Sequence, residues 1–94
     1  MEESNKIIIT VSGADKVGIV ATVATLLAQY KVNIEDIKQT LMQGHFVMFM
    51  LCDISQSNES LKQLQTLLKH ECNKMGMEVW VQRKEIFDNM HSVG

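Results

Sequence analysis

The sequence predicts an α+β fold: a two-layer sandwich of order βαββαβ, with four strands in one antiparallel sheet and two helices packed on one of its faces. Three observations predict it. Short runs of β-branched and other apolar residues at positions 6–12 and 46–52 read as strands. Two longer stretches, near positions 17–30 and 58–75, repeat their apolar residues every three or four positions, as an amphipathic helix does. The strand and helix signals also alternate in an order that places one helix between the first and second strands and another between the third and fourth. Right-handed crossovers then make each helix-linked pair parallel, and a tight turn makes the two middle strands antiparallel.

Each element can be justified in turn. Residues 6–12 read Lys-Ile-Ile-Ile-Thr-Val-Ser and end at Gly13, too short a run for a helix. In the first helix Ile19 and Val20, Val23, Leu26 and Leu27, and Tyr30 gather on one stripe, with Asp15 standing before it as a cap. Residues 31–33 connect to a second strand over 34–42, where Glu35, Asp36, Lys38 and Gln39 interrupt the apolar residues and imply a wet edge strand. Gln43, Gly44 and His45 supply a turn. The third strand, 46–52, is apolar at every position and so is expected to be buried on both faces. Ser57 or Asn58 is the expected cap of the second helix, where Leu61, Leu64, Leu68, Cys72 and Met75 form the apolar stripe, Lys62, Gln65, Lys69 and Lys74 face out, and Gly76 is the stop. Met77, Val79 and Val81 then alternate with Glu78, Trp80 and Gln82 in a half-buried fourth strand. Strands one and three are central in this topology and are the most apolar, whereas strands two and four carry the polar residues that suit edges.

The two faces of the central strands carry a further expectation. Ile7, Ile9 and Val11 oppose Ile8 and Thr10 in the first strand, and Phe46, Met48 and Met50 oppose Val47, Phe49 and Leu51 in the third, so both faces are apolar. A face left uncovered by the helices would be a large apolar patch, which predicts a homodimer or higher oligomer. The alternative cover is the C-terminal segment, with Ile86, Phe87 and Met90 at helical spacing.

A chain of 94 residues holds one domain, here 1–94 with a core at about 6–83 and an extension over 84–94. The net charge of -2 leaves no basic excess for nucleic acid or an anionic membrane, so neither partner is expected. No apolar run approaches the ~20 residues of a membrane-spanning helix, and a cytoplasmic home follows by default. Cys52 and Cys72 belong to no CxxC pair and read as small buried hydrophobes. His45, His70 and His91 fall in a turn, on the polar side of a helix and in the tail. None shows metal-ligand spacing, and no serine or cysteine has an evident basic partner, so no metal, cofactor or catalytic activity is expected.

The chemistry concentrates in the loop Gly13-Ala14-Asp15-Lys16-Val17-Gly18-Ile19, which joins a central strand to a helix N-terminus. Asp15 suits an ammonium, the amides after Val17 suit a carboxylate, and Gly18 permits close approach of a ligand or backbone. The structural alternative is that Asp15 only caps the helix and Gly18 only allows close packing. The run Asp-Lys-Val-Gly-Ile-Val at 15–20, the Val-Asn-Ile at 32–34 and Asp36-Ile37-Lys38-Gln39-Thr40, followed by a glycine turn and an apolar strand, resemble the ACT domain. The resemblance spans about 6–83, and the ending Ile86-Phe87-Asp88-Asn89-Met90-His91 is similar to that of small stand-alone ACT proteins of uncharacterised function. It implies a ferredoxin-like regulatory domain that binds an amino acid or similar small ligand at a homo-oligomer interface, between the loop after strand one and the start of a neighbour's strand two. The positions carried over are Asp15, Gly18 and Ile19 in the loop, and Asn33 and Ile34 at the edge strand. Val17 stands where many ACT domains have proline, which leaves this loop less rigid. Some ACT domains serve only to assemble oligomers, so an oligomerisation adaptor without a ligand is the alternative. From the residues alone Asn33 also reads as a turn residue, and Gln39 and Thr40 as solvated or interfacial.

Overall fold

A computed structural model describes residues 5–14 and 18–90 of the chain. Its elements are β1 (Lys6–Ala14), α1 (Ile19–Gln29), β2 (Asn33–Met42), β3 (His45–Asp53), α2 (Leu61–Lys74), β4 (Glu78–Arg83) and α3 (Lys84–Met90). The strands form one four-stranded sheet in the order β2-β3-β1-β4, with all neighbours antiparallel. The expected ferredoxin-like topology is therefore present, with the apolar strands in the middle and the polar ones at the edges.

The core lies between the sheet and the first two helices. Ile7, Ile9 and Val11 of β1 and Met48, Met50 and Cys52 of β3 are fully buried against Val23 and Leu27 of α1 and Leu64, Leu68 and Cys72 of α2. Both cysteines are free thiols within this core. Burial pushes the Cys52 thiol up to about 12 and raises Cys72 as well, so both behave as the hydrophobes expected.

The ends of the helices show where the chain departs from the simplest reading. Both α1 and α2 close with the same motif, in which the residue after the cap turns left-handed and the next one bonds back into the helix. Gly76 (φ 77°) and the Met77 N–H to Cys72 carbonyl bond of 2.9 Å end α2. At α1 the left-handed residue is Lys31 (φ 59°), and Val32 N–H donates to the Leu27 carbonyl at 2.9 Å. The cap of α2 is neither Ser57 nor Asn58 but Ser60, whose hydroxyl accepts from Gln63 N–H while the Gln63 side chain accepts from Ser60 N–H. Ser57 is engaged elsewhere: its hydroxyl donates to the Tyr30 carbonyl at 2.7 Å and ties the loop to the end of α1.

Two features complete the sheet, a bulge that was not expected and a third helix over its open face. Residues 34 and 36 of β2 oppose adjacent residues of β3, so Glu35 is a bulge. The bulge turns Ile34 and Ile37, three positions apart, to the same helix-covered side, where both pack on the core. The second is the third helix. It leaves β4 without a linker and lies over the face opposite α1 and α2, where Phe87 meets Phe49 edge to face at 6.0 Å. Part of the open face is thus covered by the chain itself, as the C-terminal alternative envisaged, and Ile8 is only 7% exposed.

Candidate functional site

β1 ends at Ala14, opposite His45, so the loop it feeds emerges at the hairpin end of the sheet. There α1 begins at Gly18, which is the N-cap with φ 87° and ψ 0°. A Cβ at Gly18 would meet nothing within 4 Å, so the glycine is required by its left-handed backbone and not by close packing. Thr22 N–H bonds to the Gly18 carbonyl at 2.9 Å. The amides before it, those of Ile19, Val20 and Ala21, open the helix, and among the described residues no side chain caps them. The helix therefore starts later than the expected Val17. Asp15, the expected cap and ammonium partner, lies outside the described residues.

The other sequence-predicted positions fall into distinct surroundings. Ile19 is 3% exposed and its side chain belongs to the core, which leaves only its backbone N–H for a ligand. Asn33 is exposed as the first residue of β2, opposite Asp53. It is not the left-handed residue of the turn, a role taken by Lys31. Ile34 is half-buried on the core.

Within one chain these positions do not converge. Gly18 is at the hairpin end of the sheet, and Asn33 is at the opposite end, beside Lys6 and Asp53. The ten residues of β2 separate the two ends by roughly 30 Å at ~3.3 Å per residue. At the hairpin end, Gln39, Thr40, Leu41 and Phe46 line a hollow of about 280 Å³ on the rim of β2.

Sequence reasoning missed two side-chain clusters. Ser12 Oγ and His45 Nε2 lie 2.8 Å apart, so a serine does have a basic partner. The pair is diagonal across β1 and β3, and only the strand register, which composition does not encode, could have revealed it. Among the described residues no carboxylate is hydrogen-bonded to the imidazole. At the other end, Lys6 is paired with the bulged Glu35 and lies 3.2 Å from Asp53. These partners, Glu35 first, raise the Lys6 ammonium above its ordinary value, while the Ser55 N–H and Lys6 hold the Asp53 carboxyl below its own. Among the described residues there is no metal-binding group of three or more His, Cys, Asp or Glu side chains, and no helix is long and apolar enough to cross a membrane.

These elements define the class first: a small ferredoxin-like sandwich that presents a glycine-started helix beside a long edge strand. The ACT domain model matches residues 5–82, and the chain belongs to the ACT domain family. It is similar to the UPF0237 protein of Methanosarcina acetivorans, with 46% identity over 90 residues that cover 96% of this chain and 98% of the relative. A second relative, the UPF0237 protein of Clostridium acetobutylicum, is 47% identical over 88 residues, covering 94% and 99%. Among solved structures it resembles the ACT domain protein from Streptococcus pneumoniae, with a TM-score of 0.77, 30% identity and coverage of 95% and 97%.

Proposed function

We propose that this ACT domain is a non-enzymatic regulatory module that dimerises through the edge of β2 and holds an amino acid or similar small ligand where two chains meet. The observation that carries this reading is the placement of Gly18 and Asn33 at opposite ends of one edge strand. A twofold axis that pairs β2 with its copy runs the two strands antiparallel, so the start of one lies toward the hairpin end of the other. Asn33 and Ile34 of the partner are thereby brought toward Gly18, the open amides of α1 and the hollow lined by Leu41 and Phe46.

The two edges differ in their readiness for such pairing. On β4 the Gln65 side chain donates to the Val81 carbonyl at 2.8 Å, which occupies the outward backbone. On β2 the Asp36 carboxylate takes the Ile37 N–H at 2.9 Å, and beyond it residues 38–42 pair regularly with β3 on one side and carry no described cap on the other. Exposed edges of that kind template further pairing.

Light scattering and a thermal-shift screen against the amino acids test the proposal together. The expected mass is about twice 10.7 kDa. A bound amino acid at ~100 times its Kd adds ~2.7 kcal/mol and raises Tm by roughly 10–20 °C, and Asn33→Ala removes that rise without loss of the dimer. A dimer that no amino acid stabilises would leave the adaptor reading in place, and a monomer at micromolar concentration would refute both.

A further inference from the structure

The outer edge of β4 lies on the opposite side of the sheet from β2, and one of its residues is left open. In an antiparallel strand the N–H and C=O of one residue point the same way, and those of the next residue point the other way. The Gln65 side chain bonds to the Val81 carbonyl at 2.8 Å, so Val81 faces outward, and Val79, two residues before it, does too. Just before the strand, the Met77 N–H is turned to the Cys72 carbonyl at 2.9 Å. Between these two contacts the Val79 N–H and C=O have no partner among the described residues. They open into a hollow of about 340 Å³ lined by Lys69, Asn73, Glu78, Val79 and Trp80.

The walls come from both layers. Lys69 and Asn73 stand four apart on α2 and so share one face of that helix. Trp80, 50% exposed, lies on the open face of the sheet, because its neighbours Val79 and Val81 are turned to the core. A group bonded to Val79 therefore extends the plane of the sheet, with the indole on one side and the stem of Lys69 on the other. An added peptide strand does not fit, since its path is closed by Gln65 at Val81 and by the turn that leaves α2 at Met77. The complement of a donor and an acceptor side by side is a flat ring that carries an acceptor next to a donor on one edge, as nucleobases do. Tryptophan gives such a ring a stacking surface, and a lysine ammonium takes a phosphate as a point charge. The volume lies at the lower end of the ~300–1,000 Å³ usual for small-molecule sites.

We propose that this hollow binds a purine mononucleotide, with the edge of the base on the Val79 backbone, its ring against the Trp80 indole and its phosphate on Lys69. Glu78 stands two residues before Trp80 on the same face, where its carboxylate accepts from the ribose hydroxyls. The site lies within one chain, on the edge that pairing through β2 leaves free, so it does not depend on the interface ligand.

Trp80 is the one tryptophan of the chain, so its fluorescence reports on the hollow directly. Titration of the full chain with AMP, excited where adenine does not absorb, is expected to quench that fluorescence saturably and to shift the Val79 amide in ¹⁵N spectra. Ribose 5-phosphate, which lacks the base, is expected to bind roughly tenfold or more weakly. So is AMP dimethylated on its exocyclic amine, which has no proton for the Val79 carbonyl. Lys69→Gln, at an exposed position, should weaken AMP by roughly tenfold, whereas Asn33→Ala should leave it unchanged. No saturable quenching at millimolar AMP would overturn the proposal. Equal binding of ribose 5-phosphate, or AMP binding that survives Lys69→Gln unchanged, would overturn it too. Loss of AMP binding in Asn33→Ala would move the nucleotide to the dimer interface and refute this site, and stabilisation by an amino acid without binding of AMP would refute this site alone.

Discussion

Gly13→Ala isolates a contact that the candidate site depends on. Gly13 is the penultimate residue of β1, opposite Phe46, and feeds the loop that leads to Gly18. A Cβ there would lie 2.6 Å from Met77 Sδ, 3.2 Å from its Cε and 3.4 Å from the Gly76 carbonyl oxygen. Sulfur is in mid-chain and Met77 is only 1% exposed, so the side chain cannot swing into solvent. Overpacking by a methyl costs roughly 1–3 kcal/mol, and the stiffer unfolded chain returns about 0.5–1 kcal/mol. The expected net loss is centred near about 1 kcal/mol and is at most about 2.5 kcal/mol, a fall in Tm of up to roughly 20 °C for a domain of this size. Met77→Ala alone should cost roughly 2–5 kcal/mol. In that background the alanine methyl at position 13 enters the vacated space, and the same substitution becomes neutral or mildly stabilising. Urea unfolding followed by circular dichroism, run on all four proteins of the cycle, measures the coupling, expected at about 1–3 kcal/mol. Strict additivity across the cycle would show that Met77 yields freely and would refute the reasoning.

Three further outcomes follow from local geometry. Lys31→Gly should raise stability by about 0.5–1 kcal/mol in a thermal melt, because lysine holds a left-handed φ of 59° that glycine adopts without strain; a lower Tm would contradict this. The thiols of Cys52 and Cys72 should react with a disulfide reagent at pH 8 only as fast as the protein opens, and at once in urea, since burial keeps both protonated; rapid labelling of the folded chain would be inconsistent with the core described. Asp53 accepts the Ser55 N–H at 2.7 Å and its carboxyl is held below the unfolded value near ~3.9. Its stabilisation is therefore present above that pH and is lost as pH falls through the lower folded value. Asp53→Asn should flatten this part of the acid limb in urea midpoints measured from pH 6 to 3. Lys6, raised chiefly by Glu35, contributes below ~10.4 and loses its contribution only at higher pH.

The order of the strands was legible because polarity along each strand reports whether one or both faces are covered, and residues 46–52 are apolar at every position. The bulge was not, since Ile34 and Ile37 stand three apart, a spacing that one face of a helix allows and a regular strand does not. The cap of α2 does carry a signal in the sequence: Ser60 is followed three residues later by Gln63, the reciprocal arrangement that Ser57 and Asn58 lack. Of the candidate site, Gly18 and Asn33 were legible as residue types. Their separation to opposite ends of β2 follows only from the register. Ser12 and His45 were invisible for the same reason, being 33 positions apart in sequence.

Self-coverage by α3 changes which surface is expected to mediate assembly, and Leu41 decides between the choices. With Phe87 on Phe49 and Ile8 nearly buried, the large apolar side chains that stay exposed among the described residues are Trp80 at 50%, Ile86 at 48% and Leu41 at 58%. Trp80 lies on β4 opposite Thr10, on the open face, whereas Leu41 lies on the free edge of β2 and lines the hollow near the start of α1. A face-to-face dimer would bury Trp80 and spare Leu41; an edge-paired dimer would do the reverse. Burial of a leucine side chain contributes roughly 1.5–3 kcal/mol, so Leu41→Glu should weaken an edge-paired dimer by at least about tenfold, with added cost from the buried charge. Both substitutions fall on exposed positions outside the core, so circular dichroism should show an unchanged fold. In sedimentation across a concentration series, Leu41→Glu should move the chain toward 10.7 kDa while Trp80→Ser leaves the dimer intact. The opposite pattern would place the interface on the open face and remove the geometric reason for bringing Gly18 and the partner's Asn33 together.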